Sequence, residues 1–330
     1  MNGIEKLVGL CQGGPVYIQT HNFPDPDAIA SAYGLQELLI SYGVTSRLCY
    51  DGKIDKLSAS KMLKAFHIRM SPYSSLAAGM KETDRIICVD TQKHAGNVTD
   101  FTGEEIACID HHPTFVPTGY LYQDIRITGA CATLIAEYYA LSGKEPARDA
   151  ATALLYGLKM DTLQFTRGVT ELDIRMFEYL FPRCDQGKLA ALERNNMEFT
   201  DLKAYGAAIE SIELYDRVGF SCIPFPCPDA LVAVISDFIL SLVEVDVAVV
   251  SSFRKNGVKL SVRSEIPGVH AGNLLHKALQ GVGNGGGHAS MGGGFISRER
   301  LPEPGRYQED YIRNLFLDAL AERAAGQPRL

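Results

Sequence analysis

The chain has 330 residues, 46% hydrophobic and 22% charged, with 39 acidic against 32 basic side chains and a formal charge of −7. That length suits two cores better than one. The acidic balance speaks against a protein that coats long duplex nucleic acid, which needs a broad basic face, and the absence of any run of ~18 or more apolar residues argues against a membrane span.

The N-terminus, Met1-Asn2-Gly3-Ile4-Glu5-Lys6, lacks a basic stretch followed by an apolar one, which points to the cytoplasm rather than to secretion. Residues 16–20 (Val-Tyr-Ile-Gln-Thr) read as a buried strand, and after a Pro/Asp-rich loop residues 28–42 read as a helix, with Ile29, Ala32, Leu35, Leu38 and Leu39 at helical spacing. Residues 47–50 form a second predicted strand. Residues 85–90 and 105–110 are two more, each closing on an aspartate. Helices are expected over 130–141, 148–160 and 171–180. Strands alternating with helices predict an α/β domain with a mostly parallel sheet covered by helices.

Residues 1–185 are assigned to this first domain, residues 186–215 to a polar helical connector, and residues 216–330 to a smaller mixed α/β domain. The latter opens with a strand over 218–224 and a helix over 229–242. A hairpin then pairs 246–254 with 259–263 across Lys255-Asn256-Gly257-Val258, where Asn-Gly is the turn signal. A helix over 272–279 leads into a glycine cluster ending Gly285-Gly286-Gly287-His288, with a second at Gly292-Gly293-Gly294. This half also carries the basic charge: residues 251–298 hold Arg254, Lys255, Lys259, Arg263, Lys277 and Arg298 against the single acid Glu265. The cluster suits a small anionic substrate as well as it suits a solvated surface. The eight cysteines form no Cys-x-x-Cys pair and are expected to be small buried thiols. Cys222 and Cys227 flank a proline-rich turn, and no disulfide is expected between them in a cytosolic protein.

In an open parallel sheet, ligands bind beyond the carboxyl ends of the strands. Four segments place acids and histidines there or at a helix end: Thr20-His21-Asn22-Phe23-Pro24-Asp25-Pro26-Asp27, Val89-Asp90-Thr91, Asp110-His111-His112 and Met160-Asp161-Thr162. Carboxylates that converge repel one another unless cations neutralise them. Oxygen and imidazole donors without thiolate favour manganese, with magnesium or cobalt as alternatives, over structural zinc. Five or six such groups exceed the needs of one ion with an open position, so two ions ~3.5–4 Å apart are expected to share them. A helix N-cap is the plainer reading of Asp90-Thr91 and Asp161-Thr162, and it is compatible with ligation. The plainer readings of the glycine cluster and of Arg263 are a flexible turn and an exposed strand arginine. His67, His94, His270 and His276 are assigned structural roles, with His94 alone a candidate to line the cleft.

These segments, in this order, resemble the four motifs of the DHH phosphoesterase superfamily, and Gly285-Gly286-Gly287-His288 resembles the glycine-rich signature of its DHH-associated C-terminal domain. The similarity spans roughly residues 15–297. It implies that residues 1–185 are the catalytic metal-binding domain and that residues 216–330 bind substrate. By position, His21, Asp25 and Asp90 would hold one metal, and Asp27, His111 and Asp161 the other, with Asp90 as the bridge. His112 would protonate the leaving oxygen or stabilise charge, and Asp110 would orient an imidazole from behind the ligands. Arg263, Gly286, Gly287 and His288 would meet the phosphate or base. Two departures stand out. Asp25-Pro26-Asp27 replaces Asp-Gly-Asp, which is expected to stiffen the loop, and Leu163 replaces glycine.

The resemblance implies a metal-dependent phosphoesterase that hydrolyses short single-stranded oligoribonucleotides or 3′-phosphoadenosine 5′-phosphate with a two-metal-activated water. The alternative within the class is a phosphodiesterase of cyclic or linear dinucleotides of the cyclic di-AMP type. Pyrophosphate and polyphosphate are less well supported. The alternative outside it is a catalytically silent nucleotide-binding regulator, expected to lack one or more metal ligands, whereas every ligand position is filled here. A nicotinamide enzyme is rejected because no Gly-x-Gly-x-x-Gly follows the first strand. No membrane partner is expected, and a homodimer is compatible with the sequence.

Overall fold

Strands whose every residue is buried form only where both faces of a sheet are covered, and the four residues of the strand Val16–Gln19 are all buried. A computed structural model describes residues 3–54, 56–114, 116–194, 197–266, 268–287, 289–303 and 306–326. The chain divides into two units, Met1–Asn196 and Met197–Leu330. The residues read as a connector, 186–215, are shared between the two units.

The first unit runs α1 (Gly3–Leu10), β1 (Val16–Gln19), α2 (Pro26–Ile40), β2 (Ser46–Tyr50), α3 (Leu57–Ala65), β3 (Met70–Pro72), α4 (Tyr73–Leu76), β4 (Arg85–Val89), β5 (Glu104–Asp110), β6 (Tyr122–Ile125), α5 (Cys131–Ser142), α6 (Arg148–Asp161), α7 (Glu171–Leu180) and α8 (Gln186–Glu193). Its six strands lie in the order β3-β2-β1-β4-β5-β6, and every pairing is parallel. Side chains alternate across the sheet with period two. Ile18, Ile87, Val89 and Ile109 enter a large core with α1, α2, α5 and α6, while Tyr17, Ile86, Cys88 and Cys108 enter a smaller one with Phe101. The chain reverses direction of travel between β1 and β4, so a crevice opens at their carboxyl ends. Helices α2 and α6 pack closely enough that a Cβ on Gly157 would lie 2.7 Å from that of Ala30.

Pro26 is the first residue of α2, with Asp25 as its N-cap. The expectation of a stiffened loop is therefore corrected: the fixed φ and missing N–H of proline are suited to the first helical position. The N-cap role falls to Asp25, and not to Asp90, after which no helix starts, or to Asp161, which ends α6.

The second unit runs α9 (Asp201–Glu210), β7 (Glu213–Tyr215), β8 (Val218–Ile223), α10 (Asp229–Leu240), β9 (Val247–Arg254), β10 (Gly257–Ser264), α11 (Ala271–Ala278), β11 (Asn284–Gly287), β12 (Met291–Ser297) and α12 (Arg306–Gly326). The sheet order is β11-β12-β10-β9-β8-β7. On one face Val247, Val249, Leu260 and Val262 pack with α11 and α12; on the other Ala248 and Val250 pack with α9 and α10.

The β9–β10 turn is only Lys255-Asn256, since Gly257 already pairs with Arg254. Gly257 has φ +150°, and a Cβ there would lie 2.1 Å from the Ile296 carbonyl oxygen. The glycine cluster is not a turn either. Asn284–Gly287 is a strand, with Gly285, Gly286 and Gly287 opposite Gly294, Gly293 and Gly292. A Cβ on Gly272 would sit 2.3 Å from the Gly287 carbonyl oxygen, so small residues let α11 lie directly on the backbone of this strand. All eight cysteines are buried free thiols. Among the described residues no helix is long and apolar enough to cross a membrane.

Candidate metal centre

Three strand ends and two helix ends deliver the acids and imidazoles. His21 and Asp25 follow β1, and Asp27 lies in the first turn of α2. Asp90 follows β4 with φ +58°, a left-handed conformation rare for a residue with a side chain. Asp110 closes β5 ahead of His111 and His112, and Asp161 closes α6. Three groups of side chains bring ligand atoms within 4.8 Å of one another: His21 with Asp25 and Asp90, Asp27 with His111 and Asp161, and Asp90 with His111 and His112.

The imidazoles are aimed by their far nitrogens. Nδ1 of His21 lies 2.7 Å from the Asn22 carbonyl oxygen, and Nδ1 of His111 lies 2.9 Å from that of Thr128. A carbonyl can only accept, so each Nδ1 carries a proton and each Nε2 is turned to the centre, where it offers a lone pair once its own proton is lost. His21 Nε2 is 3.6 Å from Asp90 Oδ2 and 4.0 Å from Asp25 Oδ1. His111 Nε2 is 3.3 Å from Asp90 Oδ1, 3.4 Å from Asp161 Oδ2 and 3.9 Å from Asp27 Oδ2. These gaps exceed ordinary hydrogen bonds.

The carboxylates are held from outside the cluster. Asp25 Oδ1 accepts the amides of Asp27 and Ala28, and its Oδ2 faces Lys56 Nζ at 3.4 Å. Asp27 accepts the Cys131 and Ala132 amides at 2.7 and 2.9 Å. It thus supplies the cap that Ala130, ahead of α5, cannot. Asp110 Oδ1 accepts from the His111 amide and from His112 Nδ1, each at 2.8 Å, and its Oδ2 accepts from Gln92 Nε2. Arg167 donates to the Asp161 carbonyl at 2.6 Å and stands 3.5 Å from its carboxylate. The intervening turn holds Leu163, Gln164 and Phe165 all at positive φ, a conformation that favours glycine.

The fit to cations rests on Asp90. Its Oδ1 is buried and accepts no hydrogen bond, a costly state for a carboxylate oxygen. Charge repulsion points the same way. Asp27 is raised well above the usual carboxylate range by burial, then by Asp90 and Asp161. Asp25, despite its burial, is held below that range by Lys56 and His21. Hard oxygen and imidazole donors crowded without thiolate fit divalent cations of the manganese or magnesium kind.

The same crowding predicts how the metal-free protein responds to pH. Burial, then Asp25 and Asp90, lift Asp161 from 3.8 to about 6. The folded carboxyl therefore binds its proton more tightly than the unfolded one, and the stability it contributes below pH 3.8 is lost as pH rises through about 6. His111 is lifted against its burial by Asp90, Asp27 and Asp161 from 6.5 to about 11, and its contribution is lost as pH climbs across that interval. With EDTA present, the urea midpoint should fall from pH 4 to pH 6, and Asp161→Asn should flatten the fall. A midpoint that rises over this interval contradicts the crowding.

In the second unit, Arg263 is buried on β10. Its Nε lies 2.5 Å from Asp237 Oδ1 of α10, and its other nitrogens reach Ser261 Oγ and the carbonyls of Val262 and Ala233. Arg254 and Lys259 both pair with Asp229 of the same helix, so much of the basic charge read from composition is neutralised locally. Gly286 and Gly287 lie on β11, with no atom within 4 Å of a Cβ added at Gly286. His288 lies outside the described residues. His94 is exposed in the loop after β4. Lys56, Gln92, Thr128 and Arg167 were absent from the sequence reading. Only Arg167, six residues past Asp161, carried a local signal; Lys56 meets Asp25 across 31 positions.

Two family models match the chain: the N-terminal domain of the DHH family over residues 15–158 and the DHHA1 domain over residues 227–313. Uncharacterized protein MJ1633 of Methanocaldococcus jannaschii is 28% identical over 277 residues, 83% of this chain; the match spans 56% of that relative's length. The bifunctional oligoribonuclease and PAP phosphatase NrnA of Thermus thermophilus is 27% identical over 310 residues, 86% of this chain and 84% of that protein. A manganese-dependent inorganic pyrophosphatase of Methanocaldococcus jannaschii is 29% identical over 233 residues, 61% of this chain and 72% of the relative. In fold, the chain is similar to an exopolyphosphatase-related protein from Bacteroides fragilis, with a TM-score of 0.77 at 17% identity over 98% of this chain and 95% of the other.

Proposed function

The chain belongs to the DHH family of phosphoesterases, with a DHHA1 domain after its DHH domain, and on that premise we propose that it hydrolyses phosphate esters of small nucleotides and short oligoribonucleotides with two manganese ions. The observation that carries this reading is the buried Oδ1 of Asp90, which accepts no hydrogen bond and lies between two sets of ligands. We assign His21, Asp25 and Asp90 to one ion and Asp27, His111 and Asp161 to the other, with Asp90 shared. Bound there, such ions lower the pKa of a coordinated water and offset charge on phosphoryl oxygens.

The chain's own groups supply the rest. His112 is half-exposed, and Asp110 anchors its Nδ1. Burial alone would lower its pKa, but Asp110 and Asp90 raise it, so the ring keeps a proton to pass to the leaving oxygen. Gly286, Gly287 and His288 are assigned to substrate in the second domain. Arg263 takes part only by exchanging Asp237 for the phosphate.

Similarity to NrnA over most of both chains supports short oligoribonucleotides and 3′-phosphoadenosine 5′-phosphate as substrates. A panel tests this: a dinucleotide, a five-nucleotide RNA, 3′-phosphoadenosine 5′-phosphate, cyclic di-AMP and pyrophosphate, each with manganese and with EDTA. Manganese-dependent release of mononucleotides from the RNAs is expected. Turnover of cyclic di-AMP or pyrophosphate alone would replace the substrate assignment, and no turnover with metal bound would leave a nucleotide-binding role.

A further inference from the structure

One ligand set, and not the other, leans on a single stretch of backbone. Residues 128–132 give their Thr128 carbonyl to His111 and their Cys131 and Ala132 amides to Asp27. Gly129 presses against Thr162, the residue after Asp161: a Cβ at 129 would be 2.6 Å from the Thr162 methyl. Asp27 and His111 are therefore hydrogen-bonded to this stretch, and Asp161 abuts it through its neighbour Thr162. Among the described residues, neither His21 nor Asp25 hydrogen-bonds to it.

The stretch is in turn held by Asp173, in the first turn of α7 and fully buried. Its Oδ2 accepts from the Gly129 amide at 2.8 Å and from the amide and hydroxyl of Thr170 at 2.7 and 2.6 Å; its Oδ1 accepts from the Thr133 hydroxyl at 2.5 Å. The bond from the Thr170 amide belongs to the capping box of α7. The bonds to Gly129 and Thr133 span 44 and 40 residues and do nothing for that cap. A buried carboxylate satisfied by four neutral donors fixes all of them at once, because each would be left unpaired if it moved.

We propose that Asp173 is a positioning residue of the metal centre, which holds residues 128–132 and so sets cation affinity at the Asp27–His111–Asp161 site without governing the His21–Asp25–Asp90 site. The inference rests on the two-cation reading above.

The test is a titration of the full-length protein with Mn²⁺, following the free ion by electron paramagnetic resonance, with circular dichroism to confirm folding. Wild type should bind two ions. Asp173→Ala should weaken one site by roughly 10–100-fold and leave the other within about twofold, the range seen when groups that orient metal ligands are removed. Asp173→Asn should fall between the two, since it retains an acceptor for Gly129 and Thr170. Should the alanine variant not fold, Thr133→Val, which removes only the Oδ1 bond, should give the same split with a smaller change. A folded variant with both affinities unchanged, or with both sites weakened alike, overturns the assignment. Wild type binding fewer than two ions instead overturns the two-cation reading beneath it.

Discussion

Asp90→Ala is expected to abolish turnover while the first domain stays folded. Asp90 is the side chain that reaches both imidazoles, 3.6 Å from His21 Nε2 and 3.3 Å from His111 Nε2, and its buried Oδ1 has no hydrogen bond to lose. Deleting the shared ligand should forfeit several kcal/mol of transition-state charge stabilisation, about 10³-fold or more in rate. The fold should be spared because the substitution also removes a charge from crowded carboxylates. Alanine in the left-handed conformation of this position costs only about 1–2 kcal/mol. Initial rates with saturating manganese, read beside a circular dichroism spectrum, decide the matter. Wild-type rates in a folded variant would end the two-metal proposal.

The second large effect is thermal. A ligand bound only by the folded state at a hundred times its Kd adds about 2.7 kcal/mol, so two ions add about 5 kcal/mol. In a domain of this size each kcal/mol moves Tm by about 2–4 °C, which predicts a rise of about 10–20 °C on adding manganese to EDTA-treated protein. The rise combines new bonds with relief of the repulsion that lifts Asp27 and Asp161. Scanning calorimetry reads it directly, and Asp27→Asn, which removes a ligand of one ion only, should lose about half of it. A Tm indifferent to manganese would contradict the donor set.

The convergence of these acids and imidazoles was legible because their geometry is mostly local. His21, Asp25 and Asp27 share one loop and one helix start, and parallel strands put Asp90 and Asp110 at the same edge of the sheet. The sheet itself followed from short apolar runs separated by helical patterns. The second half was harder. Gly285, Gly286 and Gly287 have no side chains and so no alternation, and a strand built for close approach by α11 looks like a turn in sequence. The partner of Arg263 sits 26 positions away in Asp237, beyond any local spacing rule. Helix α12 lay past the last predicted element, although Ile312, Phe316 and Ala319 trace a narrow buried stripe along it. Asp173 advertised only its capping box with Thr170; its bonds to Gly129 and Thr133 depend on how α5 and α7 meet.

The most direct test of the central claim is anomalous diffraction from crystals grown with manganese. Two anomalous peaks are predicted, one flanked by His21, Asp25 and Asp90 and the other by Asp27, His111 and Asp161, with Asp90 touching both. A single peak, or peaks away from these residues, would contradict the account.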